Sequence, residues 1–186
     1  IGMEYIIPTL GIWDDFYDID FDLLPNQFVL KCTHDSGGVV ICKDKASLDI
    51  KKVKKKIEKS LTYNYYWTGR EYPYKNVIPR IICEKYMTDS PDSSDFTDYK
   101  FFCFNGYVDC VMVCLERSSG DTKFYFFDKD WNLRRLNIRG KSAPEGFTIL
   151  KPNQMDKMFE IAAKLSEGLP FARVDLYQSN DHIYFG

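Results

Sequence analysis

A chain of 186 residues that is 45% apolar and 16% aromatic is long enough for one well-packed domain or two small lobes, and too apolar to stay disordered. Its net charge of −2 argues against a general nucleic-acid binder, which presents basic surfaces. No run of about 18 apolar residues occurs, so no membrane-spanning helix is expected.

The chain opens on Ile1 without a signal-peptide pattern and reads as an internal or trimmed piece. Six cysteines stand at 32, 42, 83, 103, 110 and 114, with no Cys-x-x-Cys and only two histidines. A structural zinc site does not fit that spacing. Most of the cysteines lie in apolar strand-like runs and read as reduced, buried thiols of a cytoplasmic protein.

Residues 1–26 read as mostly irregular, with an acidic stretch (Asp14, Asp15, Asp18, Asp20, Asp22) closing at Pro25. Strands are expected near 27–32 and 38–43. Ser47 is the expected cap of a helix running to about Leu61, with Ile50, Val53, Ile57 and Leu61 on one face. Six lysines between 51 and 59 cover the rest of that helix and read as a solvated face rather than a polyanion site. The stretch from Asn64 to Tyr74 is too aromatic for an ordinary loop, and either lines a substrate cleft or covers the core.

Strands are then expected at 80–86, 99–104, 107–115 and 123–128, with Asn105-Gly106 as a hairpin turn. A Ser/Asp/Pro loop is expected to move between 88 and 98. A second loop at 132–150 carries Arg134, Arg135, Arg139 and Lys141. A helix over 153–167 and strands at 171–177 and 182–185 close the chain. Helices on antiparallel strands make this an α+β chain.

Four segments bear chemistry. Phe28 to Lys31 is a strand ending in a lysine, followed by the polar-glycine turn Ser36-Gly37-Gly38. An ammonium beside exposed turn N–H groups suits phosphate. Ile81 to Met87 turns polar at Glu84-Lys85-Tyr86, where a backbone edge can meet a purine and Glu84 a ribose hydroxyl. Asp98 and Lys100 share one strand face, as do Arg173 and Asp175. An arginine and a carboxylate on one sheet face suit a phosphate and a bridging Mg²⁺, and equally suit a structural ion pair. Cys32 and His34, two apart at a strand end, do not make a convincing thiol dyad.

The order of these segments resembles the ATP-grasp superfamily, and more closely its TupA-like (teichuronopeptide biosynthesis) branch. The resemblance runs from Ile7-Pro8-Thr9-Leu10-Gly11 to the C-terminus. It includes Phe28-Val29-Leu30-Lys31, Gly69-Arg70-Glu71-Tyr72-Pro73-Tyr74-Lys75-Asn76, Asp98 to Gly106, Asp130-Trp131-Asn132-Leu133 and Arg173-Val174-Asp175. It implies two small lobes with mainly antiparallel sheets and two principal helices around a nucleotide cleft, the lobes being residues 1–83 and 84–186.

The resemblance further implies that Lys31, Ser36, Gly37 and Gly38 hold the phosphates of ATP. Glu84, Lys85 and Tyr86 hold its base and ribose, Arg173 and Lys100 carry the chemistry, and Asp175 binds Mg²⁺ or Mn²⁺. The implied reaction joins a carboxylate-bearing sugar or polymer to an amino acid through an acyl phosphate, in bacterial cell-surface polysaccharide or teichuronopeptide biosynthesis. Asp35 departs from the pattern, which usually has glycine there, and the pattern's second metal ligand lies beyond Gly186. Two alternatives remain. One is a surface-polysaccharide glycosyltransferase, for which Asp18-Ile19-Asp20, Asp20-Phe21-Asp22 and Asp128-Lys129-Asp130 are formal Asp-x-Asp matches. The other is a non-catalytic nucleotide-binding module.

Overall fold

Alternation along Phe28–Cys32 sets the first sheet. Phe28, Leu30 and Cys32 are buried, while Val29 and Lys31 lie on the opposite face. The computed structural model describes residues 2–89, 97–116 and 120–186, so most of the loop expected to move between 88 and 98 lies outside the described residues. The chain divides into two units, one of residues 7–86 and one of residues 1–6 with 87–186.

In the 7–86 unit, β1 (Thr9–Trp13), β2 (Phe28–Cys32), β3 (Val40–Cys42) and β4 (Ile81–Lys85) form one antiparallel sheet in the order β1-β4-β2-β3. Helix α1 (Ile50–Leu61) packs Val53 and Ile57 against Phe28, Leu30, Ile81 and Cys83. The helix starts later than the sequence suggests. Asp44 caps a 3-10 turn at Lys45–Ser47, and Asp49 caps α1 by accepting the Lys52 N–H. Strand β1 corrects the irregular reading of residues 1–26. Its alternation is masked by Gly11 and by a register shift between Thr9 and Gly11. A short helix α2 (Tyr66–Gly69) ends at Arg70, whose φ of 54° is left-handed.

The other unit carries a six-stranded antiparallel sheet. Its strands are β5 (Asp98–Phe104), β6 (Tyr107–Leu115), β7 (Lys123–Phe127), β8 (Leu133–Arg134), β9 (Ala172–Ser179) and β10 (His182–Phe185). They run in the order β10-β9-β5-β6-β7-β8. Asn105 and Gly106 both take positive φ, 48° and 85°, which matches the right-handed twist of the β5–β6 hairpin. Asn180 and Asp181 do the same for β9–β10.

Helix α4 (Met155–Leu165) lays Met155, Met158, Phe159 and Ala162 on Phe101, Val111, Val174 and Leu176. The Phe101 and Phe159 rings meet edge to face at 5.1 Å. The loop expected over 132–150 holds β8 and a short helix α3 (Ile138–Ser142), whose N-cap is Asn137. Its arginines are structural. Arg135 donates to the carbonyls of Gly140, Lys141, Ala143 and Pro144, while Arg139 pairs with Asp121 and Arg134 with Asp109.

All six cysteines are buried and free, and burial pushes the Cys83 and Cys110 thiols up to about 12. Among the described residues no helix is long and apolar enough to cross a membrane.

Phe101 is fully buried and Phe104, three residues on, is 47% exposed. Phe101→Ala is expected to cost about 3–5 kcal/mol by urea unfolding, the usual range for an emptied aromatic core site. Phe104→Ala is expected to stay within about 1 kcal/mol.

Candidate functional site

Pairing of β5 with β9 puts Lys100 directly opposite Asp175 and Phe102 opposite Arg173. Asp98, Lys100, Phe102 and Phe104 therefore share the sheet face turned away from α4, together with Arg173 and Asp175. On that face Lys100 Nζ lies 2.6 Å from Asp98 Oδ2 and 2.6 Å from Asp175 Oδ2. Arg173 closes the group from the far side, with Nε 2.8 Å from Asp175 Oδ1 and Nη2 3.0 Å from Oδ2.

Two carboxylates and two cations thus form one compensated cluster. Its exposure is graded, from 2% for the Asp98 side chain through 17% for Lys100 and 19% for Asp175 to 48% for Arg173. Burial works against the Lys100 ammonium. Hydrogen bonds to Asp175 and Asp98, with their charges, outweigh it and raise its pKa. Lys100 is therefore a fixed ammonium at neutral pH and no proton carrier.

In the other unit, β2 is flanked by β4, with Val29 opposite Glu84 and Lys31 opposite Ile82. Lys31 reaches diagonally to Glu84, Nζ to Oε2 being 2.7 Å. Leu10, Ile12 and Ile41 are exposed on the same sheet. The pair Lys31–Glu84 therefore sits among exposed apolar side chains rather than in bulk water alone. Strand β4 is interior to its sheet, and the Lys85 N–H is taken by the Pro8 carbonyl at 2.9 Å. The Lys85 N–H is therefore engaged within the fold. The Tyr86 ring has the Lys43 ammonium 6.0 Å from its centroid.

The turn between β2 and β3 is built around Asp35. Its Oδ1 accepts the Ser36 N–H at 2.7 Å and the Gly37 N–H at 3.3 Å, and its Oδ2 accepts the Ser60 hydroxyl. His34 beneath it is fully buried, and its Nε2 lies 3.1 Å from the Ser60 carbonyl, which requires that nitrogen to donate. Cys32 is directed at the Ile57 carbonyl, and burial holds its thiol above the usual range, so no thiolate nucleophile arises there.

The aromatic stretch does not cover the core. None of Tyr63, Tyr65, Tyr66, Trp67, Tyr72 or Tyr74 belongs to the cluster under α1, and Trp67 and Tyr72 are exposed. Arg70 lies 5.8 Å from the Tyr66 ring centroid and 5.7 Å from that of Trp67. Lys75 lies 5.5 Å from Tyr66 and 5.7 Å from Tyr72. Among the described residues neither cation has a carboxylate partner.

The Asp-x-Asp matches serve turns. Asp20 accepts the Asp22 N–H and Asp128 accepts the Asn132 N–H. Magnesium fits this chain narrowly. Among the described residues no three His, Cys, Asp or Glu side chains converge, and Asp175 is the carboxylate that faces outward in the cluster. One carboxylate suffices for Mg²⁺ only where nucleotide phosphates and water complete the octahedron.

Sequence reasoning understated Asp98, which is the buried anchor of Lys100, and Asp35. The i, i+2 spacing to Lys100 signals the first. The second is an aspartate directly before Ser-Gly-Gly, a local N–H acceptor.

The fold is similar to those of several solved ligases. A D-alanine–D-alanine ligase from Bacillus anthracis complexed with ATP is similar at 13% identity with a TM-score of 0.51, over 97% of this chain and 46% of that one. The D-cycloserine synthetase DcsG is similar at 15% identity and a TM-score of 0.45, over 97% of this chain and 55% of its own. The ATP-grasp ligase PsnB, complexed with a phosphomimetic variant of its minimal precursor, Mg and ADP, gives 11% and 0.44, over 97% and 42%. The chain thus spans about half the length of these solved structures. No curated protein matches it. The family that matches is "TupA-like ATPgrasp", over residues 1–186, and the chain belongs to the TupA-like ATP-grasp family.

Lys100 tests the cluster. Its raised pKa means that its stabilisation is full below the ordinary lysine value near 10.4 and is lost as pH rises through the folded value. Lys100→Met removes the ammonium paired with Asp98 and is expected to cost about 3–5 kcal/mol at pH 7, a difference that shrinks in unfolding titrations as pH rises past the ordinary lysine value. Lys31→Ala, removing a pair with a 36% exposed lysine, is expected to cost under about 1 kcal/mol.

Proposed function

We propose that this protein is the nucleotide-binding part of an ATP-dependent carboxylate–amine ligase acting in the cytoplasm on bacterial cell-surface polysaccharide or teichuronopeptide. The observation that carries the reading is the cluster of Lys100, Asp175 and Arg173 on one sheet face. Its cations and outward carboxylate are the groups that phosphoryl transfer uses, and among the described residues no nucleophile–histidine arrangement accompanies it. Family membership and the ATP-grasp fold support it.

In this reading Lys31 and the turn Ser36-Gly37-Gly38 receive the phosphates, and Glu84, Lys85 and Tyr86 receive ribose and base. Arg173 and Lys100 offset charge on the transferred phosphoryl group, and Asp175 would hold magnesium or manganese. When bound, that ion neutralises charge on the phosphate oxygens. An acceptor carboxylate oxygen attacks the γ-phosphorus, the bond to the β-phosphate oxygen breaks, and ADP leaves. An amine then attacks the acyl carbon, loses a proton and expels phosphate, leaving an amide. The exposed Trp67 and Tyr72 rings beside Arg70 and Lys75 suit an acceptor with a sugar ring and a carboxylate.

A second reading, a nucleotide-binding module without catalysis, is favoured by Asp35, which occupies the donors of the glycine turn. The test incubates the full-length protein with ATP, Mg²⁺, amino acids and uronic-acid acceptors and measures ADP. ADP release that needs both amine and carboxylate is expected. UDP release from a UDP-sugar without ATP would replace the ligase with a transferase, and ATP binding without turnover would leave the module.

A further inference from the structure

The turn between β2 and β3 contains its own anion. Asp35 receives two successive backbone N–H groups, from Ser36 and Gly37, and the Ser60 hydroxyl from the last turn of α1. His34 reaches the carbonyl of the same Ser60, so both residues before Ser36 are tied to one helix position. Gly38 makes this possible: a Cβ there would collide with the Ser60 side chain and the Asp35 carboxylate, whereas Gly37 faces open space. Burial pushes the Asp35 carboxyl up, yet bonds from Ser60, Gly37, Ser36 and Gly38 outweigh it and leave its pKa lowered. Among the described residues no lysine or arginine pairs with Asp35. The nearby Lys56 ammonium is directed at the Val39 carbonyl, 2.6 Å away.

An anion seated by consecutive turn N–H groups is what a phosphate would be in the same place. Each N–H carries a single hydrogen, so a phosphate and the Asp35 carboxylate compete for the same donors, and their like charges exclude joint occupancy. We propose that Asp35 is an internal competitor of phosphate that sets the affinity of this turn for nucleotide, with Ser60 as its anchor. The inference rests on the reading of Ser36-Gly37-Gly38 as a phosphate-binding turn, and it adds the residue that tunes it. Nucleotide then gains the turn only as Asp35 rotates off the Ser36 and Gly37 N–H groups.

The test is calorimetric titration of ATP, and separately of inorganic tripolyphosphate, into the wild-type protein and the Asp35→Asn, Asp35→Ala and Lys31→Ala variants. Asp35→Asn keeps an acceptor oxygen and drops the charge, and Asp35→Ala drops both. Dissociation constants are expected to fall from wild type to Asp35→Asn to Asp35→Ala, by about tenfold overall, the scale of relieving one like-charge contact. Lys31→Ala is expected to bind more weakly than wild type. Thermal melts identify any variant that fails to fold, in which case Asp35→Asn alone decides. Unchanged or weaker binding in the folded Asp35 variants, with Lys31→Ala still impaired, overturns the competitor and leaves the proposed function standing. No binding by any of the proteins overturns both.

Discussion

The Lys100 ammonium is the constraint around which the larger sheet is organised. Asp98 is almost fully buried, and without a cation its charge would be untenable at that depth. Lys100 lies between Asp98 below and Asp175 above. One lysine therefore satisfies a structural need and also fixes the carboxylate that points outward. Arg173 brackets Asp175 from the other side, so this carboxylate is held in one orientation by two cations. Such preorganisation of charge is what the proposed phosphoryl transfer would ask of this face.

The smaller sheet repeats the device with less burial. Lys31 and Glu84 pair diagonally on an exposed face, where solvent weakens the attraction. A pair of that kind adds little to the fold and can be reopened by a ligand at low cost. The glycine turn shows the converse. Its Ser36 and Gly37 N–H donors are already engaged by Asp35, so the proposed phosphate binding there would be an exchange of anions rather than a simple addition.

Much of this was legible in the sequence where local chemistry dictates structure. The Asn105-Gly106 hairpin, the strands carrying Lys31, Lys100 and Asp175, and the faces of α1 and α4 follow from periodicity and turn chemistry. β1 was not legible, because Gly11 interrupts its alternation and its partner β4 lies some 70 residues away. The start of α1 was misplaced because Asp44, Ser47 and Asp49 all offer cap chemistry, and Asp44 caps a separate 3-10 turn before Asp49 caps the helix. Spacing alone could not separate an ion pair from a ligand site at Arg173 and Asp175. The depth of Asp98 beneath Lys100 was not legible either, because no local pattern announces it.

In the proposed function Asp175 is held outward for a metal–nucleotide complex rather than for the fold alone. Calorimetric titration of ATP into wild type and Asp175→Asn, with and without Mg²⁺, tests it most directly. Asp175→Asn is expected to lose about tenfold or more in affinity when Mg²⁺ is present and little when it is absent. Equal affinities in the presence of Mg²⁺ would contradict it, leaving Asp175 as a structural partner of Lys100 and Arg173.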